Sequence, residues 1–136
     1  MTKLLVNIDV DDLEKAVHFY TSAFGLRMGR RFGHAAAELL GLEAPIYLLA
    51  KNPGTRPFAG AAMPRSYDRH WTPVHLDIAV DDLDAALRRA ESAGARREGE
   101  ISEHPWGRMA QLADPFGHGV CLLQFTGRGY DEVATD

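Results

Sequence analysis

At 136 residues the chain has the length of one domain, and its 46% hydrophobic and 25% charged residues are the proportions of a globular protein. No apolar run approaches the roughly 20 residues that a membrane helix requires, and the net charge of −4, with arginines in scattered pairs rather than a basic stripe, argues against nucleic acid. The single cysteine, Cys121, permits no internal disulfide, and the N-terminus turns acidic before an apolar leader can form, so a reducing, cytoplasmic setting is expected.

Leu4 to Val10 alternates apolar and polar residues, with Leu4, Val6, Ile8 and Val10 on one face, which predicts a strand buried on one side. Asp11 and Glu14 have capping-box spacing, and Leu13, Ala16, Val17 and Tyr20 continue at helical spacing to Phe24, before Gly25. Strands are expected at Leu26 to Phe32, His34 to Leu39 and Ile46 to Ala50, which makes the first unit βαβββ.

Val80 Asp81 Asp82 Leu83 repeats Val10 Asp11 Asp12 Leu13 at an offset of 70 residues. The same offset carries the strand face onto Val74, Leu76, Ile78 and Val80, and the helix stripe onto Leu83, Ala86, Leu87 and Ala90. Asp81 and Asp84 stand for the capping pair, and Gly94 for Gly25. Strands follow at Arg96 to Glu103, Arg108 to Ala113 and Val120 to Phe125, the last two joined by the turn Asp114 Pro115 Phe116 Gly117. The fold class is therefore α+β, two tandem βαβββ modules at about 1–51 and 72–126, within a single domain of 1–136. Between them, 52–71 is rich in proline and glycine and reads either as a crossover linker or as a cover over a site. The tail, 127–136, is expected on the surface or against a partner subunit.

Val10 to Leu26 (VDDLEKAVHFYTSAFGL), the second VDDL at Val80, and Asp114 to Phe125 (DPFGHGVCLLQF) resemble the vicinal oxygen chelate superfamily, which includes glyoxalase I, extradiol dioxygenases and bleomycin-resistance proteins. The resemblance runs over nearly the whole chain. It implies two curved mixed sheets around a cavity, and often a homodimer. The superfamily's metal enzymes bind a divalent ion through the first and last strands of each half, positions that fall on Leu5, Tyr47, His75 and Cys121. Only His75 is a good donor of the kind a hard or borderline ion needs, so no metal and no cofactor is expected.

Strand parity independently sends Leu5, Asn7, Asp9, His75 and Asp77 away from the helices. A site without a metal gains affinity from apolar burial and stacking, so Tyr47, Leu49, Phe58, Trp71 and Trp106 join Leu5, Asn7, His75, Asp77 and Cys121 as ligand-binding candidates. Each has a plainer alternative. His75 can be a hydrogen-bonded structural residue, Cys121 a small core residue, and each aromatic a packing or interface residue. His34, His104 and His118 are expected to face solvent. No GxSxG, HExxH, CxxC, Walker or GxGxxG pattern occurs.

The expected function is metal-independent binding of an aromatic antibiotic or similar apolar small molecule, a drug-resistance type of sequestration by a cytoplasmic homodimer. The alternative is an enzyme: a metal-independent glyoxalase-like lyase or isomerase using His75 as base with Asp77 and Tyr47 nearby, or a glyoxalase- or dioxygenase-like metal enzyme using His75 in a rearranged site. A structural or interaction module without a ligand site is the third possibility.

Overall fold

The computed structural model describes residues 1–136, which form two compact units, Met1–Asp68 and Arg69–Asp136. In the first, β1 (Val6–Val10), α1 (Leu13–Phe24), β2 (Arg27–Phe32), β3 (Ala36–Leu40) and β4 (Ile46–Ala50) follow in order. The sheet order is β1-β4-β3-β2, with β1 parallel to β4 and the other pairs antiparallel. In the second come β5 (Leu76–Ala79), α2 (Leu83–Ala93), β6 (Arg96–Arg97), β7 (Ser102–His104), β8 (Gly107–Ala113) and β9 (Gly119–Phe125), followed by one turn of 3-10 helix at Gly129–Glu132. Its order is β5-β9-β8-β6, with β7 also on β8, and β5 runs parallel to β9. The predicted α+β class and the twofold repeat are both present.

Each helix lies on one face of its own sheet. α1 buries Leu13, Ala16, Phe19, Tyr20 and Ala23, so the stripe includes Phe19, while Val17 is only half-buried. Opposite stand Ile8, Val10, Ala37, Leu39, Ile46 and Leu48, all buried. Phe19 meets Tyr20 edge to face, with ring centroids 5.0 Å apart, a geometry that adds about 1 kcal/mol to burial. α2 buries Leu83, Ala86, Leu87 and Ala90, as the offset of 70 predicts.

The helix caps differ by one residue from expectation. Asp12, not Asp11, accepts from the Lys15 backbone N–H at 3.1 Å, and Asp82, not Asp81, accepts from Ala85 at 3.1 Å. The second aspartate of each pair occupies the extended conformation from which a carboxylate reaches the N–H three residues on. Gly25 closes α1 in the left-handed region, φ 67°.

Strand expectations also change: Leu4 and Leu5 precede β1, and Leu4 is 70% exposed rather than part of its buried face. Val74 and His75 precede β5, and Val74 is 85% exposed rather than part of the apolar face. The pairing begins at Leu76 opposite Val120, and β9 itself starts at Gly119, so no strand remains to cover Val74. The single strand expected at Arg96 to Glu103 is split into β6 and β7. Gly99 sits at φ 90° in the gap, while Glu98 donates its N–H to Gln111 O and turns its carboxylate to Arg69.

The loop after β4 is tied down within its own unit. Gly54 N–H donates to Arg65 O at 2.8 Å, Arg65 N–H donates to Thr55 O at 2.7 Å, and the Arg65 guanidinium reaches Asp9 on β1 at 2.8 Å. Tyr67 Oη donates to Lys51 O at 2.7 Å. This stretch is therefore pinned against the helix-free face of β1 rather than running as a loose connection.

At Gly107, φ 151°, an added Cβ would overlap the Gln124 carbonyl oxygen across the β8–β9 pair. Backbone cannot retreat there without breaking the ladder. Gly107→Ala is expected to cost roughly 2–4 kcal/mol of stability, read as a lower urea midpoint at unchanged slope.

Candidate functional site

The helix-free face of unit one is organised by Glu38. β3 pairs Glu38 with Tyr47 on β4, and β4 pairs Tyr47 with Asn7 on β1, so three polar side chains stand in one row. A register shift in β2 between Met28 and Arg31 swings Arg30 into that row. Arg30 then donates three times to Glu38: backbone N–H and Nε to Oε1, both at 3.0 Å, and Nη2 to Oε2 at 2.7 Å. Tyr47 Oη donates to Oε2 at 2.7 Å and accepts from Arg30 Nη2 at 3.0 Å.

Four donors saturate a carboxylate. Glu38 is only 7% exposed yet fully satisfied, and its hydrogen bonds from Arg30 pull its pKa from the usual 4.5 down to about 2. The Tyr47 phenol is raised instead, chiefly because it donates to that carboxylate. Beside the trio opens a cavity of about 820 Å³ whose walls include Leu5, Pro45, Arg30 and Tyr47.

In unit two, His75, Asp77 and Cys121 converge, with their donor atoms all within 4.8 Å of one another. β5 places Asp77 directly opposite Cys121 on β9, and His75 Nε2 lies 3.2 Å from Asp77 Oδ1. Burial, followed by the nearby Asp77 carboxylate, pushes the Cys121 thiol up to about 12. Trp71 packs on His75, ring centroids 4.8 Å apart, and lies over Gly119, where any Cβ would overlap its ring. Arg69 holds the other side, with its guanidinium 5.3 Å from the Trp71 centroid and forked onto Glu98 at 2.7 and 2.6 Å.

These residues do not build the four-donor metal set that the superfamily resemblance implies. Leu5 offers only carbon, and Tyr47, whose register with Asn7 mirrors that of Cys121 with Asp77, is committed to Glu38 and Arg30. His75 is the one strong donor at the four positions. Asp77, adjacent to it, adds a carboxylate that lies outside that set.

The remaining candidates are dispersed. Leu49 is half-buried on β4 opposite Asp9, and Phe58 is 67% exposed in the pinned loop. Trp106 belongs to a different cluster: it stacks on His104 at 4.7 Å and touches Phe125 and Tyr130 at 6.0 and 5.4 Å, near the far end of β9 from Cys121. His104 is thereby not the solvent-facing residue expected, since its ring also shares a hydrogen bond with Ser102 Oγ at 2.8 Å. Arg30 and Glu38 are the residues that sequence reasoning missed. The signal was an acid inside the apolar run Ala36–Leu40, on the parity that faces away from α1, which demands a cationic partner.

The glyoxalase-like domain model matches residues 5–123. An uncharacterised protein of Mycobacterium bovis is 32% identical over 123 residues, covering 85% of this chain and 78% of that protein. The anthracycline biosynthesis protein DnrV of Streptomyces peucetius is 32% identical over 133 residues; the alignment takes in 95% of this chain but only 43% of DnrV. Among solved structures, the fosfomycin resistance protein FosX of Listeria monocytogenes superposes with a TM-score of 0.72 at 15% identity, covering 98% of each chain.

Two outcomes follow from the protonation states. Because the Glu38 pKa is depressed on folding, its stabilisation is complete above about pH 4.5 and disappears as pH falls toward 2. Acid titrations should therefore show a steeper loss of stability over that window in the wild type than in Glu38→Gln. Cys121, protonated and buried, should resist Ellman's reagent in the native protein at about pH 8 and react stoichiometrically once denatured.

Proposed function

The chain belongs to the glyoxalase-like domain family, and from that premise we propose that it is a metal-independent binding protein for a largely apolar, aromatic small molecule. The observation that carries this reading is the chemistry at Leu5 and Tyr47. One has no donor atom, and the other is locked into the Glu38–Arg30 pair, beside a cavity of about 820 Å³. That volume is the size of a small-molecule site, and Leu4, Leu5, Ala44 and Pro45 give it an apolar share of wall. DnrV is named for anthracycline biosynthesis and FosX for fosfomycin resistance, which points the proposal toward antibiotics, and a planar antibiotic suits an apolar wall better than a small polar one.

The ligand is taken up by a homodimer in the cytoplasm. Met63 at 77% and Val74 at 85% exposure supply apolar surface for a second copy, and the single buried cysteine suits a reducing compartment. No helix is long and apolar enough to cross a membrane.

A second reading has its own support. The 3.2 Å approach of Asp77 to His75 orients an imidazole in the manner of a general base, as a glyoxalase-like lyase or isomerase, or a dioxygenase-like enzyme, would use it.

Titration with planar aromatic antibiotics, followed by tryptophan fluorescence, should give a saturable response in the micromolar range, with His75→Ala changing affinity no more than a few-fold. Elemental analysis of the purified protein should find no stoichiometric divalent metal. A one-to-one metal that disappears in His75→Ala, or turnover of a substrate abolished by that change, would replace binding by the second reading.

A further inference from the structure

We infer that Arg30 is the residue that selects the ligand, and that the group it recognises is a neutral aryl carbonyl such as a quinone oxygen rather than a charged phosphonate or phosphate. The inference rests on the binding reading above and names the chemistry of its unit-one cavity.

The hydrogen-bond inventory of the Glu38 cluster leaves one outlet. Glu38 takes four donors and has no capacity left for a ligand. Tyr47 spends its proton on Glu38 and receives Nη2 from Arg30. On Arg30 itself, Nε and Nη2 are committed to Glu38 and Tyr47, which leaves Nη1 with two N–H groups outside the network. The Arg30 side chain is 68% exposed, borders the cavity and lies 5.7 Å from the Phe32 ring centroid. The outlet is therefore one fixed donor nitrogen, whose N–H groups diverge so that a single oxygen acceptor takes one of them.

Charge decides which acceptor. Glu38 sits directly behind the guanidinium at 2.7 Å and neutralises it. Across the cavity wall, Lys3 and Arg30 are balanced by Glu38 and Glu43, so the site carries no net charge. A doubly charged phosphonate would lose its hydration and meet the Glu38 carboxylate for little return. A carbonyl conjugated to an aromatic ring is cheap to desolvate, accepts one Nη1 N–H bond through a lone pair, and leaves its ring for Leu4, Leu5 and Pro45. The guanidinium is held from behind before any ligand arrives, so little side-chain freedom is lost on binding.

Calorimetric titration with anthraquinone and anthracene, each carrying the same hydroxymethyl group for solubility, isolates the carbonyl. The wild type should bind the quinone about tenfold tighter than the hydrocarbon. Arg30→Met should erase that preference while leaving hydrocarbon affinity within about twofold. Since Arg30→Met strands the Glu38 charge, the double variant Arg30→Met with Glu38→Gln removes both charges and keeps the measurement possible if the single variant unfolds. Methylphosphonate in excess should not displace the quinone. Equal binding of both probes by the wild type, a preference that survives in the variants, or displacement by methylphosphonate overturns the role of Arg30 while the binding reading stands. Failure of both probes to bind overturns both.

Discussion

In each unit the first strand runs parallel to the last, and that one pairing decides which side chains can meet on the helix-free face. Parallel neighbours cannot be joined by a tight turn, and in each unit the helix and further strands intervene before the chain returns, two strands in unit one and three in unit two. The return sets the register: Asn7 opposite Tyr47 in one unit, Asp77 opposite Cys121 in the other. The helix-facing residues Val6, Ile8 and Val10 then lie beside Ile46, Leu48 and Ala50, and burial of that face holds the register, because a slip of one residue would turn the apolar set outward.

The same frame carries different chemistry in its two copies. In unit one the central row is Asn7, Tyr47 and Glu38, completed by Arg30; in unit two it is Asp77, Cys121 and Gln111. Glu38 requires a cation and acquires one through the irregularity in β2. Gln111 needs none, and the polarity of unit two shifts to the edge of the row, where Asp77 meets His75 below Trp71. The Arg30 and Arg31 pair is divided by the same irregularity, Arg30 turning to Glu38 and Arg31 to Glu14 on α1. Adjacent arginines thus serve opposite faces of one sheet.

Much of the frame was legible because it rests on periodicity. The offset of 70, the alternation of Val6, Ile8 and Val10, the stripe of Leu83, Ala86, Leu87 and Ala90, and the glycines that end both helices are local patterns with local causes. What stayed hidden depends on partners distant in sequence. Two consecutive aspartates offer equal caps until the backbone chooses Asp12 and Asp82. The exposure of Val74 follows from where β9 begins, some 45 residues later (119 − 74 = 45). The Glu38 trio was the largest omission, since its existence depends on a bulge that a reading of strand parity alone cannot supply. Trp71 and Trp106, alike as loop aromatics on paper, separate once one is seen over Gly119 and the other against His104.

The saturation of Glu38 also constrains how such a chain can change over evolutionary time. A metal donor placed at Tyr47 would strip the carboxylate of one of its four hydrogen bonds and leave Arg30 Nη2 without its second acceptor. Leu5 would have to change as well, and neither replacement is useful before the other. The two positions are therefore coupled: a donor at Tyr47 disturbs the trio, and without a change at Leu5 it gains no second ligand in unit one.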